Sequence, residues 1–307
     1  MNNGEILFLY DAQLANPNGD PDDENRPRMD YETRRNLVTD VRLKRYIRDY
    51  LQDTGNQIFI ENNEEGKVVN ATKRLKNVLG SDRTPDDLGS LVSKFVDIRI
   101  FGATITIQKK EGKQTGDSIK ITGPVQFTWG YSLNEVDLVD TYSITSKFSS
   151  GDNKSAGTIG KDYRVYYSLI GFYGSISGHR VKHSGMVETD LNLLDRSMIK
   201  AIPQQATRSK IGQFPRLYMR FLYKDQETIM GDWREQLILK ERENLRGIGD
   251  VKLELENLVN KIKINNASIS KILYWVDPSL DLEFRGKKLT LEEMLKGTGV
   301  AIEGIRA

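Results

Sequence analysis

The chain has 307 residues, 38% hydrophobic and 29% charged, which is enough apolar material for one large domain or two ordinary ones beneath a strongly polar surface. Its 45 Lys and Arg nearly balance 43 Asp and Glu, so the formal charge of +2 argues against a generic polyanion binder and leaves such binding to local basic patches. The absence of cysteine excludes disulfides, thiolate zinc sites and cysteine nucleophiles.

The start, MNNGEILFLYDAQ, has no basic region ahead of its short apolar run and reads as no signal peptide. No apolar run approaches the ~18 residues needed to cross a bilayer, so the expectation is a soluble, cytoplasmic protein with no membrane partner. Glu5–Asp11 reads as a buried strand. A polar loop dense in turn formers follows, then a helix from about Asn36 to Leu51, and Gln57–Ile60 as a further strand. Between 62 and 97 the stretches ATKRLKNVL and PDDLGSLVSKFVD are helical, the latter with Asp86 or Asp87 in its first turn. From Ile98 to Trp129, β-branched alternation around EGKQTGD (111–117) predicts a hairpin. Residues 149–161, rich in Gly and Ser, read as a mobile loop. Asp162–Ser177 reads as a long central strand, Glu188–Ala201 as a helix capped by Thr189 or Asp190, and Leu217–Tyr223 as another strand. The C-terminal part offers a charged helical stretch over Trp233–Leu245, a strand at Ile272–Val276 and the helix LTLEEMLKG. No linker or repeat cuts the chain, which predicts a single α+β domain with large insertions. Trp129, Trp233 and Trp275 are assigned to the core.

Two basic stretches stand out. At about 100° per residue, Leu43, Tyr46, Ile47, Tyr50 and Leu51 share one arc of the first helix, and Arg42, Lys44, Arg45 and Arg48 lie on the opposite one. With Arg34 and Arg35 just ahead, six basic residues between Thr33 and Arg48 meet one acid, Asp40. A solvated helix face normally mixes both signs; an unpaired cationic arc suits phosphates, which Arg forks bind bidentately. The second stretch, Pro203–Lys224, holds Arg208, Lys210, Arg216, Arg220 and Lys224 with no acid. Gly212 and Pro215 suggest a turn there, with Ile211 and Phe214 as exposed apolar tips that could wedge between bases. An ordinary exposed loop is the alternative.

The loop ahead of the helix is the electrostatic opposite, with Asp20, Asp22, Asp23, Glu24, Asp30 and Glu32 against Arg26 and Arg28. Its Asn16, Asn18, Asp20, Asp22 alternation resembles calcium ligation. Counted from Asn16, however, positions 6 and 12 of such a loop are Pro21 and Pro27 where Gly and Glu are required. Two readings remain: a rigid turn whose carboxylates bond their own backbone, or metal-assisted RNA cleavage through Asp20 or Asp22. His179 and His183 have helical i, i+4 spacing but no third ligand, and read as surface residues.

NPNGDPDDENRPRMD with VTDVRLKRYIRDYL, FGATITI, GPVQFTWGYSLNEV and TRSKIGQFPRLYMRF together resemble the crRNA-binding backbone subunit (RAMP superfamily) of type I CRISPR Cascade complexes, the type I-B-like branch in particular. The matches run in order from about residue 5 to 225. The resemblance implies a single RRM-like domain over 1–307, with a ferredoxin-like palm, a finger-like insertion near 55–130 and a thumb β-hairpin near 203–216. It implies a non-catalytic role without cofactor or metal. The implied partners are crRNA, target DNA paired with the guide, copies of the same chain in a helical filament, and other Cascade subunits. Residue by residue, it carries RNA contact onto Lys44, Arg45 and Arg48, onto Arg34 and Arg35 in the preceding loop, and onto Arg208, Lys210 and Arg216. Arg42 joins them from the helix pattern. Related backbone subunits of another type cleave RNA with a first-loop aspartate, which keeps Asp20 and Asp22 as an alternative. An assembly module without RNA is the third reading.

Overall fold

The computed structural model describes residues 1–61, 71–79, 88–106, 118–146 and 158–306. Strand β1 (Gly4–Ala15) is buried from Gly4 to Ala12. It lacks the polar–apolar alternation of a half-exposed strand because both of its faces are covered. Ile6, Phe8, Tyr10 and Ala12 meet a helical layer, while Leu7 and Leu9 meet the C-terminal part of the chain.

Strand β2 (Arg35–Val38) precedes helix α1 (Asp40–Asp53). The helix therefore starts four residues later than its pattern predicts, because Leu37 and Val38 pair with Tyr131 and Gly130. Thr39 caps it, its hydroxyl accepting from Arg42 N at 3.2 Å. The side-chain oxygen of Asn18 in turn accepts from both the amide and the hydroxyl of Thr39, each at 2.9 Å. The loop thus fixes where the helix begins. The predicted apolar arc, Leu43, Tyr46, Ile47, Tyr50 and Leu51, is buried in full.

Helices α2 (Ala71–Leu79), α3 (Leu88–Lys94) and α4 (Val96–Phe101) and the hairpin of β3 (Gly102–Thr106) and β4 (Ser118–Thr122) form an insertion. It has its own core, built from Phe59, Leu75, Leu91, Phe95, Ile98, Ile105 and Ile121. Two expectations fail here. Gln57–Ile60 is not a strand, and Ile98–Phe101 is helical until Gly102, whose φ of +76° ends α4 where a Cβ would meet Ile121 O at 2.2 Å. The predicted turn 111–117, Asp86 and Asp87 lie outside the described residues.

Strands β5 (Val125–Phe127) and β6 (Gly130–Ser132) already belong to the central sheet, so the insertion ends before residue 125. The hairpin of β7 (Ser143–Ser146) and β8 (Thr158–Lys161) replaces part of the expected loop at 149–161, the rest of which lies outside the described residues. Then come β9 (Val165–Ile176), α5 (Gly178–Ser184), α6 (Glu188–Gln204), β10 (Gln213–Tyr223), α7 (Glu256–Ile264), β11 (Ile269–Val276), α8 (Leu291–Leu295) and β12 (Ala301–Gly304). His179 and His183 are exposed on α5, and the described residues contain no group of three potential metal ligands. The central sheet runs β12-β11-β10-β1-β9-β6-β2 and then Met29–Asp30, with β5 on the other end of β9. All neighbours are antiparallel except β11 and β12. Helices α1 and α6 pack on one face; Leu191, Leu194, Met198 and Ile202 of α6 are buried there as predicted.

Three further expectations are corrected. Residues 203–216 form no hairpin: α6 continues through Gln204, a turn spans 208–210, and β10 enters the sheet at Gln213. Trp233–Leu245 holds only a short 3-10 turn, Trp233–Gln236, and the two-residue strand Ile238–Leu239. Trp233 is buried as assigned, but Trp129 is 50% exposed and Trp275 only partly buried.

The second face of the sheet is fastened by a carboxylate. Glu5 is 1% exposed and accepts from the Tyr173 hydroxyl at 2.5 Å, the Tyr223 hydroxyl, the Trp233 indole at 2.9 Å, and the amides of Met230 and Gly231 at 3.3 and 3.0 Å. Burial, reinforced by this carboxylate, pushes both tyrosine hydroxyls well above their ordinary pKa. Glu5→Ala, which leaves these donors without an acceptor, is expected to cost about 3 kcal/mol or more of unfolding free energy in a denaturant titration. A loss under about 1 kcal/mol would show that the carboxylate is dispensable.

Candidate nucleic-acid interface

The cationic arc of α1 is not unpaired. Lys44 bonds Asp40 at 3.0 Å and the Gln126 side chain at 3.1 Å. Arg45 bonds Asp49 at 2.5 Å and donates to Ile60 O at 2.8 Å. Arg48 is 8% exposed and pairs through Nε with Asp97 at 3.0 Å. Asp97 is wholly buried and also accepts from the amides of Phe59 and Ile60 at 2.7 and 3.1 Å. This ion pair docks the insertion on α1. Burial lowers the Arg48 pKa against the opposing pull of Asp97, as befits a structural charge. Arg34, at φ +54°, reaches Glu135 at 2.8 Å and Asp137 at 2.5 Å. Arg35 lies 5.0 Å from the centroid of the Tyr131 ring and has no carboxylate partner among the described residues.

The second basic stretch divides the same way. Arg216 is buried between Asp11 at 2.9 Å and Asp277 at 3.1 Å. Arg220 is fully buried on Asp195 at 2.7 Å, beside the Tyr218 hydroxyl on the same carboxylate at 2.6 Å. Arg208 stays exposed, with Asp162 no nearer than 3.9 Å. Ile211 and Phe214 are 60% and 45% exposed, as expected, although on a turn and a strand end rather than a hairpin tip.

One cation from each stretch has no carboxylate partner among the described residues. Lys210 Nζ donates to the carbonyls of Asn16 and Pro17 at 2.5 and 3.3 Å. Arg42 lies across the Tyr46 ring at 3.9 Å, and its buried Nε meets no acceptor among the described residues. No carboxylate pairs with either among those residues. Burial, with the neighbouring charge of Arg42, pulls the Lys210 pKa down to about 7. A desolvated lysine and a half-buried arginine, neither paired with a carboxylate, form a candidate site for an anion.

Several acids of the loop are engaged by their own neighbourhood. Asp20 pairs with Arg28 at 2.9 Å and accepts from Asp22 N at 3.2 Å; Asp30 accepts from the Thr33 hydroxyl at 2.5 Å; Glu24 holds Lys161 at 2.6 Å. Asp22 is exposed. Sequence reasoning missed Tyr46 as a partner of Arg42, although the i, i+4 spacing on one helix carries that signal. It also missed Arg164, which bonds the carbonyls of Leu14 and Arg208 and has no local signature.

Arg48→Ala is expected to lower stability by about 3–5 kcal/mol, since it strands the Asp97 carboxylate in the core. Arg42→Ala is expected to stay within about 1 kcal/mol of the parent, because it removes a charge that opposes Lys210 along with the stack on Tyr46. Equal losses for the two, measured by chemical unfolding, would contradict this division between structural and available cations.

Comparison with known proteins identifies the family of the chain and a similar fold. Residues 2–256 match the family described as CRISPR-associated protein Cas7. A protein of that description from Haloferax volcanii is 35% identical over 314 residues, covering 95% of this chain and 92% of its own. In structure, the chain superposes with a TM-score of 0.52 on a chain of a CRISPR RNA-guided surveillance complex in its pre-nicking state, at 13% identity over 99% of this chain and 97% of that one.

Proposed function

The chain belongs to the CRISPR-associated Cas7 family, and from that premise we propose that it is a non-catalytic guide-RNA-binding backbone subunit of the type I, I-B-like kind. In this reading it works in the cytoplasm, polymerises along crRNA beside other Cascade subunits, and leaves the guide free to pair with target DNA. Base pairing then reads sequence while the protein reads backbone. The observation that carries the proposal is that one turn places two cations from segments far apart in the chain: its Asn16 and Pro17 carbonyls hold Lys210, its Asn18 fixes the Thr39 cap against Arg42 N, and neither cation has a carboxylate partner among the described residues. A phosphate is the anion whose charge and oxygen count such a pair satisfies. Arg208 and Arg35 are further cations without a close carboxylate, and Arg34 and Lys44 keep N–H groups that a backbone phosphate could share with their carboxylates, whereas Nε and Nη2 of Arg45 are buried. Arg48 and Arg216 act through the fold.

The strand order β10-β1-β9-β6, with α1 and α6 together on one face, supports reading this part as an RRM-like, ferredoxin-like palm. The insertion with its separate core then corresponds to the finger-like element. No observation favours the ribonuclease alternative, because Asp20 is occupied by Arg28 and by its own turn.

Two measurements test the proposal. Arg42→Ala and Lys210→Ala are each expected to weaken single-stranded RNA binding and to lower the slope of log K against log salt by about one. Unchanged affinity in the double variant would remove the proposal. Lys210 should also make binding pH-dependent. The free protein holds this lysine largely neutral above about pH 7, and a bound phosphate favours its charged form, so binding takes up a proton. Affinity is therefore expected to fall as pH rises from about 7 to about 9 and to stay level below about 6. Lys210→Arg, which cannot deprotonate in this range, should flatten the profile.

A further inference from the structure

We propose that the C-terminal corner of α7 on one copy of the chain seats in a cleft beside α8 on the next, joining copies head to tail. This names the surfaces of the polymerisation read above and rests on that reading. Ile264, the last residue of α7, is 81% exposed, and Ile229 is 69% exposed. They are the two most exposed large hydrophobic residues among those described. They share one corner: Lys261, three residues before Ile264 on the same helical face, donates to the carbonyl of Met230, the neighbour of Ile229, at 2.9 Å. Ile262 faces the core at 0% exposure, so Ile264 turns outward and stays uncovered. Lys263 between them is exposed and has no carboxylate partner among the described residues. A single exposed isoleucine is ordinary, but two beside an unpaired lysine form a patch.

At the other end of β11 lies a cleft of about 440 Å³, floored by Val276, Leu280, Leu282, Leu289 and Leu291. Leu280, Leu282 and Leu291 belong to the core of the second face, whereas Val276 and Leu289 are only partly buried against it. The wall cannot collapse inward, because a reciprocal cap fixes the start of α8. The Thr290 hydroxyl accepts from Glu293 N at 3.3 Å, and the Glu293 carboxylate accepts from Thr290 N at 2.8 Å. The rim is acidic. Asp277 is taken by Arg216 and Glu293 by the cap. Glu292 is exposed, and its nearest cation, the equally exposed Lys296, stands 3.8 Å away, a pair worth little in water.

Charge selects the occupant. Carboxylates at the rim repel phosphates, so nucleic acid is disfavoured there. An apolar corner flanked by a lysine answers both features of the cleft: isoleucine covers the leucine floor, and Lys263 meets Glu292. The two surfaces do not meet within one copy. A turn closed by Ser268 N on Asn265 O ties the end of α7 to the start of β11, and the cleft lies at the end of that eight-residue strand. At ~3.3 Å per residue the separation is about 25 Å. Contact between two different patches is heterologous, and when repeated it builds an open helical array or a ring rather than a two-fold dimer.

The test uses the full-length chain, whose lack of cysteine makes introduced thiols unique. One preparation carries Ala267→Cys beside the corner and another Lys288→Cys at the rim of the cleft, both at exposed positions. They are mixed and treated with a short bis-maleimide, with and without single-stranded RNA long enough for two copies. A cross-linked dimer that neither preparation gives alone is expected, and a ladder from the chain carrying both cysteines. Ile264→Gln should lower the yield about tenfold and leave the unfolding midpoint unchanged, because this side chain is exposed in the free chain. Lys263→Glu should lower it about fivefold, and Glu292→Lys on the other preparation should restore it. Absence of the mixed dimer both with and without RNA would overturn the proposal, and parental RNA affinity in the same preparations would leave the RNA reading standing. Equal dimer from either single preparation would overturn it in favour of a two-fold contact. A mixed dimer from a chain that binds no RNA would keep the contact and remove the RNA reading.

Discussion

Strand β1 carries two buried carboxylates on one face, and they fasten its neighbouring strands and the segment around Trp233 to it. Glu5 at one end gathers two tyrosine hydroxyls, an indole and two amides from β9, β10 and the segment around Trp233. Asp11 at the other end accepts from the Tyr167 hydroxyl of β9 at 3.0 Å and pairs with Arg216 of β10. A charge taken out of water must recover its lost solvation from aimed donors, so each carboxylate dictates where its neighbours sit. Burial still raises the pKa of Asp11 in spite of Arg216 and Tyr167, which shows how dry that end of the strand is. The opposite face of β1 contributes shape alone, through Ile6, Phe8, Tyr10 and Ala12 against α1 and α6.

This division explains what the sequence disclosed. The core-forming patterns were legible because they are local: the unbroken apolar run of β1, the apolar arc of α1, and the Leu191, Leu194, Met198, Ile202 stripe of α6. The ionic partners were not. Asp97 lies 49 residues from Arg48, and Asp11 is more distant still from Arg216. Sign imbalance counted inside a window cannot register a carboxylate delivered by another element. Asp49, the partner of Arg45, stands one residue past the window that made the helix look unpaired. Pro215 misled in a different way. It read as a turn signal, yet it sits in β10 opposite Tyr10, where the register between β1 and β10 shifts and a ladder donor can be spared.

The candidate site itself was half legible. Arg42 and Lys210 were both marked as basic, but nothing local distinguished them from Arg45 or Arg216, which the fold consumes. What separates them is where the connection 205–212 lands. It docks by main-chain bonds on residues 13–16 and so brings Lys210 onto the carbonyls of Asn16 and Pro17. Asn18, two residues on, fixes the cap of α1 and thereby the start of the turn that carries Arg42. One short loop positions both cations.

That loop is also the most acidic stretch near the site, and its acids would cancel the cations if they faced them. They do not, because each of the principal ones is engaged elsewhere: Asp20 by Arg28, Asp30 by Thr33 and its own turn, Glu24 by Lys161 of β8. Neutral carbonyls, rather than carboxylates, are what the loop offers Lys210. A carbonyl solvates an ammonium only in part, so the lysine keeps a depressed pKa and the pair remains short of counter-charge. The folded chain tolerates this unfavourable arrangement because the surrounding ion pairs and the cap on α1 over-determine the backbone. In the proposed binding mode a phosphate would supply the missing charge, and the acids of the loop serve it indirectly: they rigidify the turn, and the rigid turn holds them on partners other than Lys210 and Arg42.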